Sequence, residues 1–374
     1  MNRLYYESEI SKKIIESDCI IIYGARIVAQ EVATCLIGSP YNKKIEAFMV
    51  SEKEGNPERL LGRPVITINE GKEKYSNALI IVAVLERYLD EIENTLVDNG
   101  MTNIILCGFE SDLWSGLRGN FFREIAINKY GIYKTFEEEI NKCKEYSDIQ
   151  LGIYSAKCHV DRELSDKRQY PWEKQIQVGS ALTDKVVCDI QDNTGDNISE
   201  KNKYFCELTA LYWIWKNDKS AYKGLGHYRR HFDLSGEGAK KLGMSGIDVI
   251  LPIPIMNFPS VRKIYEHDHI IEDWDIMMDV LKEQHIDYYD TALRLQDGIY
   301  YYAYNMLIAK KDIFDEYCDW LFPILFECEK RCKPKEDTYQ GRYMGFLSER
   351  LLSVFFIHNW ERWNIVHAKK NFLN

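Results

Sequence analysis

The chain has 374 residues, 45% of them hydrophobic and 28% charged, with a formal net charge of −10. That length exceeds one ordinary core and implies two or three domains of roughly 100–200 residues each. The charged fraction excludes a membrane bundle, and the acidic balance excludes a general nucleic-acid binder, which needs a broad basic face to neutralise phosphates.

The first element is the apolar run CIIIYG (19–24), which predicts a buried strand ending in a glycine turn. The segment from Arg26 that closes on Gly38 and Pro40 predicts a helix with a glycine stop. Strands are expected at 45–51, 77–84 and 103–108, with the turn-rich LLGRPVITINE after the first and a helix from Arg87 to Asn99 before the last. Strands alternating with helices predict an α/β fold, with a Rossmann-like parallel sheet over residues 1–110. The turn from Gly24 to Ala29 is a degraded dinucleotide fingerprint. Its second glycine, which would let the backbone approach a pyrophosphate, is replaced by Arg26. A scaffold or interaction module is therefore the favoured reading of this first domain.

Residues 111–148 are charged and helix-like and predict a helical connector. An apolar strand at 149–156 opens a further α/β domain over 149–374. It continues through a polar, turn-prone stretch, the element IQVGSAL, the loop DNTGDNIS (192–199) and one aromatic helix predicted over 202–217. GLGHYRRHF (224–232) then follows a buried-strand pattern into a loop. A strand at 248–252, a helix around EDWDIMMDVLKEQH, a strand-like run at 300–311 and helices at 314–330 and 345–358 complete the chain, with no internal repeat.

Ten cysteines show no CxxC pair, and Cys328 and Cys332 would share a helix face with no second ligand pair for zinc. All ten are expected to be reduced thiols of a cytoplasmic protein. MNRLYYESEISKK lacks the apolar core of a signal peptide, and no apolar run approaches the ~18–20 residues that span a bilayer. Tyrosine is abundant, at 25 residues, which suits either core packing or sites that bind sugars and nucleotides.

Several stretches carry candidate chemistry. DNTGDNIS, with Asp192 and Asn197, fits a turn with a helix cap, a sugar-binding loop or a calcium loop, although it lacks the terminal glutamate of an EF-hand. In ELTALYWIWKN the apolar residues recur at helical spacing and read as core, while Glu207 and Trp213 are free to face a cleft. His227, Tyr228, Arg229 and Arg230 sit where a strand gives way to loop, and ligands of open α/β sheets bind at the carboxyl ends of strands. Two arginines with a histidine there could bind a diphosphate without a metal, or form a surface salt-bridge cluster. In YEHDHIIEDWD, His267 and His269 point apart on a helix, which disfavours a metal pair and leaves His269 as a hydrogen-bonding group near substrate. Glu349 and Arg350 interrupt an apolar helix and must pair or face a cavity.

In their order, IYSAKCH, YPWEKQIQVGSAL, DNTGDNISEKNKYFCELTALYWIWKN, GLGHYRRHF, DVILP, YNMLIAKKDIFDEYCDWLFPIL and GFLSERLLSVFFIHN resemble the domain of unknown function 4422 family, also classed as glycosyltransferase family 111. The resemblance covers about residues 150–360, with one departure at Lys157-Cys158-His159, where a Thr-His-Lys type sequence is expected. It implies a GT-A-like α/β glycosyltransferase domain that builds bacterial capsule, O-antigen or exopolysaccharide. Some members look like inverting galactofuranosyltransferases that use UDP-galactofuranose. The alternative is a non-catalytic sugar-nucleotide-binding module of a polysaccharide assembly complex.

In GT-A enzymes the strand after the central helix commonly ends in Asp-x-Asp, which holds a divalent metal against the diphosphate. By order of elements that place is His227–Arg230, so the charge sign is reversed. The resemblance then implies that Arg229 and Arg230, with His227, hold the departing UDP, and that no cofactor is needed. Mn or Mg would be required if Asp248 took the Asp-x-Asp role instead. Asp248, Asp273 and Glu349 are the candidates for the catalytic base. Asp192, Asn197 and Asn202 are candidates for orienting the donor, and Tyr304, Asn305, His269 and Arg350 for contacting sugar or acceptor. The expected partners are a UDP-sugar donor and a saccharide or lipid-linked saccharide acceptor, with no nucleic acid. A peripheral contact at the inner face of the cell membrane, through the basic end from Arg362 to Lys370, and a homo-oligomer are carried as options.

Overall fold

A computed structural model describes residues 8–130, 133–166 and 168–373, and divides the chain into two units, Met1–Tyr133 and Lys134–Asn374. In the first unit the chain runs α1 (Glu9–Glu16), β1 (Ile20–Tyr23), α2 (Ile27–Ile37), β2 (Ile45–Val50), β3 (Arg59–Leu60), β4 (Arg63–Thr67), α3 (Ile68–Lys74), β5 (Leu79–Val82), α4 (Leu89–Asp98), β6 (Ile104–Leu106) and α5 (Asp112–Tyr130). The sheet order is β3-β4-β2-β1-β5-β6, parallel throughout except for the β3–β4 hairpin. The doubly wound parallel sheet expected over 1–110 is therefore present. Helices cover both faces of such a sheet, which is why its strands read as continuous apolar runs.

Gly24 ends β1 at φ +119°, where an added Cβ would lie 2.8 Å from the Ala83 carbonyl oxygen. Both the backbone angle and the neighbouring strand end demand glycine there.

The second unit runs α6 (Phe136–Lys142), β7 (Leu151–Cys158), β8 (Glu173–Val178), β9 (Ile190–Gln191), α7 (Asn202–Phe205), α8 (Leu208–Asn217), β10 (Tyr222–His227), β11 (Arg230–Phe232), α9 (Gly236–Lys241), β12 (Val249–Pro252), β13 (Ile255–Met256), α10 (Val261–Asp268), α11 (Ile271–Gln284), α12 (Ile286–Asp297), β14 (Tyr300–Tyr301), β15 (Leu307–Lys310), α13 (Lys311–Arg331), α14 (Tyr343–His358), β16 (Ile365–Ala368) and β17 (Lys370–Phe372). Its main sheet has the order β16-β12-β15-β10-β7-β8-β9. Only β15 runs against its neighbours β10 and β12. One face packs Ile153, Ile250, Ile308 and Val366 against Phe136 and Ile140 of α6. Helices α8 and α13 pack against β10, and burying each large apolar side chain in these layers contributes about 1.5–3 kcal/mol. Lys223, fully buried in β10, ties that strand to α13 through a 2.6 Å ion pair with Asp315.

The segment 111–148, expected to be one connector, is shared between the units: α5 packs on α2 in the first, and α6 lies against β16 in the second. Two elements expected to be continuous are broken. The aromatic helix predicted over 202–217 splits at Cys206, and the strand predicted over 300–311 splits at Tyr304-Asn305. Among the described residues no helix is long and apolar enough to cross a membrane, and none of the ten cysteines is in a disulfide.

Replacing Gly24 with alanine is expected to destabilise the first unit by about 1–3 kcal/mol, the usual cost of a strained backbone conformation. Urea unfolding followed by far-ultraviolet circular dichroism checks this, with the midpoint shifted to lower urea.

Candidate functional site

From β7 the chain moves to β8 on one side and later returns to β10 on the other, so the order reverses between β7 and β10. Open α/β sheets bind ligands in the crevice outside the carboxyl ends of such a pair. His227 is the last residue of β10 and pairs with Arg230 of β11 across the two-residue turn Tyr228-Arg229. The Tyr228 N–H donates to the Ala156 carbonyl at 3.0 Å, which fixes this turn over the end of β7. Behind it, the two nitrogens of His231 lie 3.1 Å from the Tyr228 carbonyl and 2.9 Å from Glu173 Oε2. The last strand, β17, pairs with β11 and sets Phe372 beneath the guanidinium groups of Arg229 and Arg230, at 4.7 and 5.0 Å.

The site is cationic. Arg230 lies 4.2 Å from the centre of the Tyr304 ring, and Lys370 lies 4.1 Å from the same ring. Arg342, in the turn before α14, joins from another direction and donates from Nε to Cys206 Sγ at 3.4 Å. Neither Arg230 nor Arg342 has a carboxylate within ion-pairing distance among the described residues. Burial, reinforced by the positive charges of Arg230, Arg342 and Arg229, pushes the His227 imidazole down to about 3 and keeps it neutral. His227 Nδ1, Arg230 Nε, Asn305 Oδ1 and His269 Nδ1 are all buried without a hydrogen-bond partner. Native proteins rarely leave such groups unsatisfied, so their presence beside Arg230 and Arg342 makes this crevice the candidate site.

The two chain breaks meet here. Cys206 has φ +50° and ψ −128°, which ends α7 and restarts the chain as α8. Asn202 secures the corner by donating from Nδ2 to the Cys206 carbonyl at 2.7 Å and to Thr209 Oγ1 at 3.2 Å. The corner delivers Glu207, whose Oε1 accepts from Asn305 Nδ2 at 2.8 Å. On the other strand, Tyr304 and Asn305 are both left-handed, at φ +70° and +50°. Their conformation turns the Tyr304 N–H onto Glu349 Oε1 at 2.7 Å. Glu349 Oε2 accepts from Arg350 Nη1 at 2.9 Å, so both of its oxygens are occupied. Burial raises the Glu349 carboxyl above the usual range, against the opposing effect of Arg350. Glu207 Oε2, by contrast, has no partner among the described residues.

His227, Tyr228, Arg229, Arg230, Asn202, Tyr304, Asn305 and Glu349 thus come together at the carboxyl end of the sheet. Arg350 lies behind Glu349, sandwiched at 4.3 and 5.1 Å from the Tyr301 and Tyr265 rings. His269 stacks on Phe346 at 3.9 Å, and burial lowers its imidazole to about 4.

Other expected site residues are placed elsewhere. Asp248 precedes β12, which runs parallel to β10, so it stands at the amino end of the sheet, opposite the site. There it pairs with Lys310 at 2.7 Å and accepts from the Asn364 N–H at 2.8 Å. Asp273 is buried in a 2.7 Å ion pair with Lys335. Asp192 accepts from the Gly179 and Ser180 N–H groups and from Ser199 Oγ, at 2.9, 3.0 and 2.6 Å, and so knots its own loop. Asn197 serves the same loop by bonding Gly195 and Ser199. Trp213 faces that loop as well, donating to Thr194 Oγ1 at 2.9 Å. Arg342 escaped the sequence reading because it stands alone in a turn, with no cationic neighbours to draw attention to it.

The donor set at His227–Arg230 does not fit a divalent cation, since it offers guanidiniums and one imidazole where a hard metal needs carboxylate oxygens. With Asp248 at the far end of the sheet, the Asp-x-Asp role has no occupant there. Among the described residues no three His, Cys, Asp or Glu side chains gather closely enough to hold a metal.

The fold and site define an α/β protein with a cationic crevice at the switch point of its second sheet. The chain belongs to the family of the domain of unknown function DUF4422, whose model matches residues 153–360 and so spans all of these groups except Lys370 and Phe372. The structure is similar to the apo structure of WbbM, a bifunctional glycosyltransferase, with 26% sequence identity and a TM-score of 0.54. That likeness covers 60% of this chain and 45% of the other, so this chain matches less than half of that protein's length. No curated protein matches the sequence.

The sign of the pH effect follows from the neutral His227. Its folded value lies below the ordinary 6.5, so an unfolded chain binds a proton that the fold refuses. The stability this group contributes is complete above pH 6.5 and is lost as the pH falls towards about 3. NMR titration of the ring is expected to show no protonation of His227 between pH 8 and about 5, whereas an exposed histidine would titrate near 6.5.

Proposed function

We propose that the second unit is a glycosyltransferase whose donor is a nucleoside diphosphate sugar, with the diphosphate in the crevice between β7 and β10. The observation that carries this reading is the pair of guanidiniums without an ion-paired carboxylate among the described residues, Arg230 and Arg342, which come from separate elements and both lie within electrostatic reach of the neutral His227. A planar guanidinium matches two phosphate oxygens at once, and charge-assisted hydrogen bonds to them strengthen as negative charge gathers on the leaving group. A neutral imidazole adds one N–H donor without competing for a proton. Arg229, braced on Phe372, extends the cationic rim.

In this reading the chain needs no metal, because the charge that an Asp-x-Asp site would supply through a cation is supplied directly. The likeness to WbbM supports glycosyl transfer as the reaction class. The family resemblance narrows the donor to a UDP-sugar, with galactofuranose as the first to try, and the product to capsule, O-antigen or exopolysaccharide formed with inversion on a GT-A-type domain. The acceptor is then a saccharide, free or lipid-linked, bound towards His269 and Phe346. The work would be done in the cytoplasm, where sugar nucleotides are made.

Arg230→Ala and Arg342→Ala should each remove about 1.5–3 kcal/mol of diphosphate binding, or about 10–100-fold in Kd for UDP by calorimetry. Arg342→Lys should recover only part of this, because an ammonium lacks the planar fork. Transfer should persist in EDTA. Activity lost to EDTA and restored by manganese would refute the metal-free clamp, and wild-type protein that binds UDP-sugars without turnover would reduce the unit to a binding module.

A further inference from the structure

We propose that Glu207 is the catalytic base, an inference that rests on the glycosyl-transfer reading. Three backbone conformations that L-residues seldom adopt surround this one carboxylate. Cys206 precedes it at φ +50°, Asn305 holds it from φ +50°, and Tyr304 adjoins that anchor at φ +70°. Each such conformation costs about 1–3 kcal/mol and persists only where the surroundings enforce it. Here the enforcement is specific: Asn202 clasps the Cys206 corner, and Asn305 Nδ2 bridges Glu207 Oε1 and the Gly345 carbonyl, at 2.8 and 3.2 Å.

The arrangement fixes one oxygen of Glu207 and leaves the other available, which suits a group that must accept a proton in a defined direction. Glu349 lacks that freedom because Tyr304 N–H and Arg350 occupy both of its oxygens. Glu207 lies within electrostatic reach of Arg342, yet the two do not close into an ion pair. With Glu207 and Arg342 in one site, the carboxylate can serve the acceptor while the cation serves the phosphate.

In the step this allows, Glu207 Oε2 takes the proton of the acceptor hydroxyl, and the freed oxygen forms the new bond to the anomeric carbon. The bond from that carbon to the phosphate oxygen breaks, and its electron pair leaves on the nucleoside diphosphate held by Arg230 and Arg342. The displacement inverts the anomeric centre and nothing is oxidised or reduced. Removing a positioned base typically costs 10²–10⁴-fold in rate.

The test uses the full chain with UDP for binding, UDP-galactofuranose as donor and octyl β-galactoside as acceptor. Glu207→Gln keeps an oxygen that accepts from Asn305 and loses only basicity, so it separates chemistry from structure. Its thermal midpoint is expected to match wild type and its Kd for UDP to stay within about threefold, with KM little changed and kcat lowered about 10²–10⁴-fold. Asp248→Asn, at the opposite end of the sheet, should keep its kcat. A Glu207→Gln enzyme that turns over within about tenfold of wild type overturns the assignment, as does one that loses UDP binding in proportion to its rate, or a product of retained configuration. Wild-type protein that neither binds UDP nor turns over the donor refutes the glycosyl-transfer reading itself, and is recognised before any variant is made.

Discussion

The hydrogen bond from Asn305 to Glu207 is the constraint around which the second unit is organised. It joins a helix broken at Cys206 to a strand broken at Tyr304, two segments separated by most of the sheet in sequence. Neither break makes sense alone. A helix that continued through Cys206 would carry Glu207 round its axis, away from Asn305. A strand that continued through Tyr304 would alternate its side chains and place the Tyr304 N–H in the ladder rather than on Glu349. Each element gives up regular hydrogen bonding, and the gain is a pair of carboxylates set at fixed positions beside Arg342.

Around that joint the charges are arranged by burial rather than by neutralisation. Lys223 shows the ordinary solution in this fold, a buried ammonium matched by Asp315 at 2.6 Å. Asp273 with Lys335 is another case, at 2.7 Å. Arg230 and Arg342 depart from it, since Arg230 lies over the Tyr304 and Phe372 rings and Arg342 lies by the Phe346 ring and donates to the Cys206 thiol. Aromatic faces support a guanidinium without cancelling its charge, so they hold it in place while leaving its N–H groups for another acceptor. Cys206 plays a similar part: burial pushes its thiol up to about 12, so the sulfur that Arg342 meets stays protonated and uncharged.

Much of the fold was legible in the sequence because strands buried on both faces give continuous apolar runs. The runs beginning at Ile20, Leu79 and Val249 announce themselves in this way. The HYRR turn was legible as a candidate site because four polar or charged side chains are adjacent in the chain and follow a strand. The breaks were not. Cys206 and Tyr304 have no turn propensity, and their left-handed geometry is imposed by the tertiary contacts of Asn202, Asn305 and Glu349 rather than by local preference. Asp248 was one of three carboxylate candidates that the sequence did not rank, and only the antiparallel course of β15 reveals which end of the sheet it occupies. In the loop at 192–199 the turn reading accounts for the oxygens: those that would make a ligand site are the ones that hold the loop closed.

The two units also show why a switch point permits a site without creating one. In the first unit β1 ends at Gly24, between β2 and β5, in the topology that binds dinucleotides elsewhere. The glycine is required by the Ala83 carbonyl that an added Cβ would meet, so its presence has a purely structural cause. Arg26, the one cation in that turn, donates to the Gly55 carbonyl at 2.6 Å and thereby fastens the loop that follows β2. The residue that stands where the fingerprint has its second glycine is thus already engaged elsewhere. In the second unit the corresponding crevice keeps Arg230 and Arg342 without an ion-paired carboxylate among the described residues, and His227 Nδ1, Arg230 Nε and Asn305 Oδ1 are buried there without a hydrogen-bond partner. Topology is common to both, and the difference lies in whether the polar groups at the strand ends have been satisfied by the protein itself.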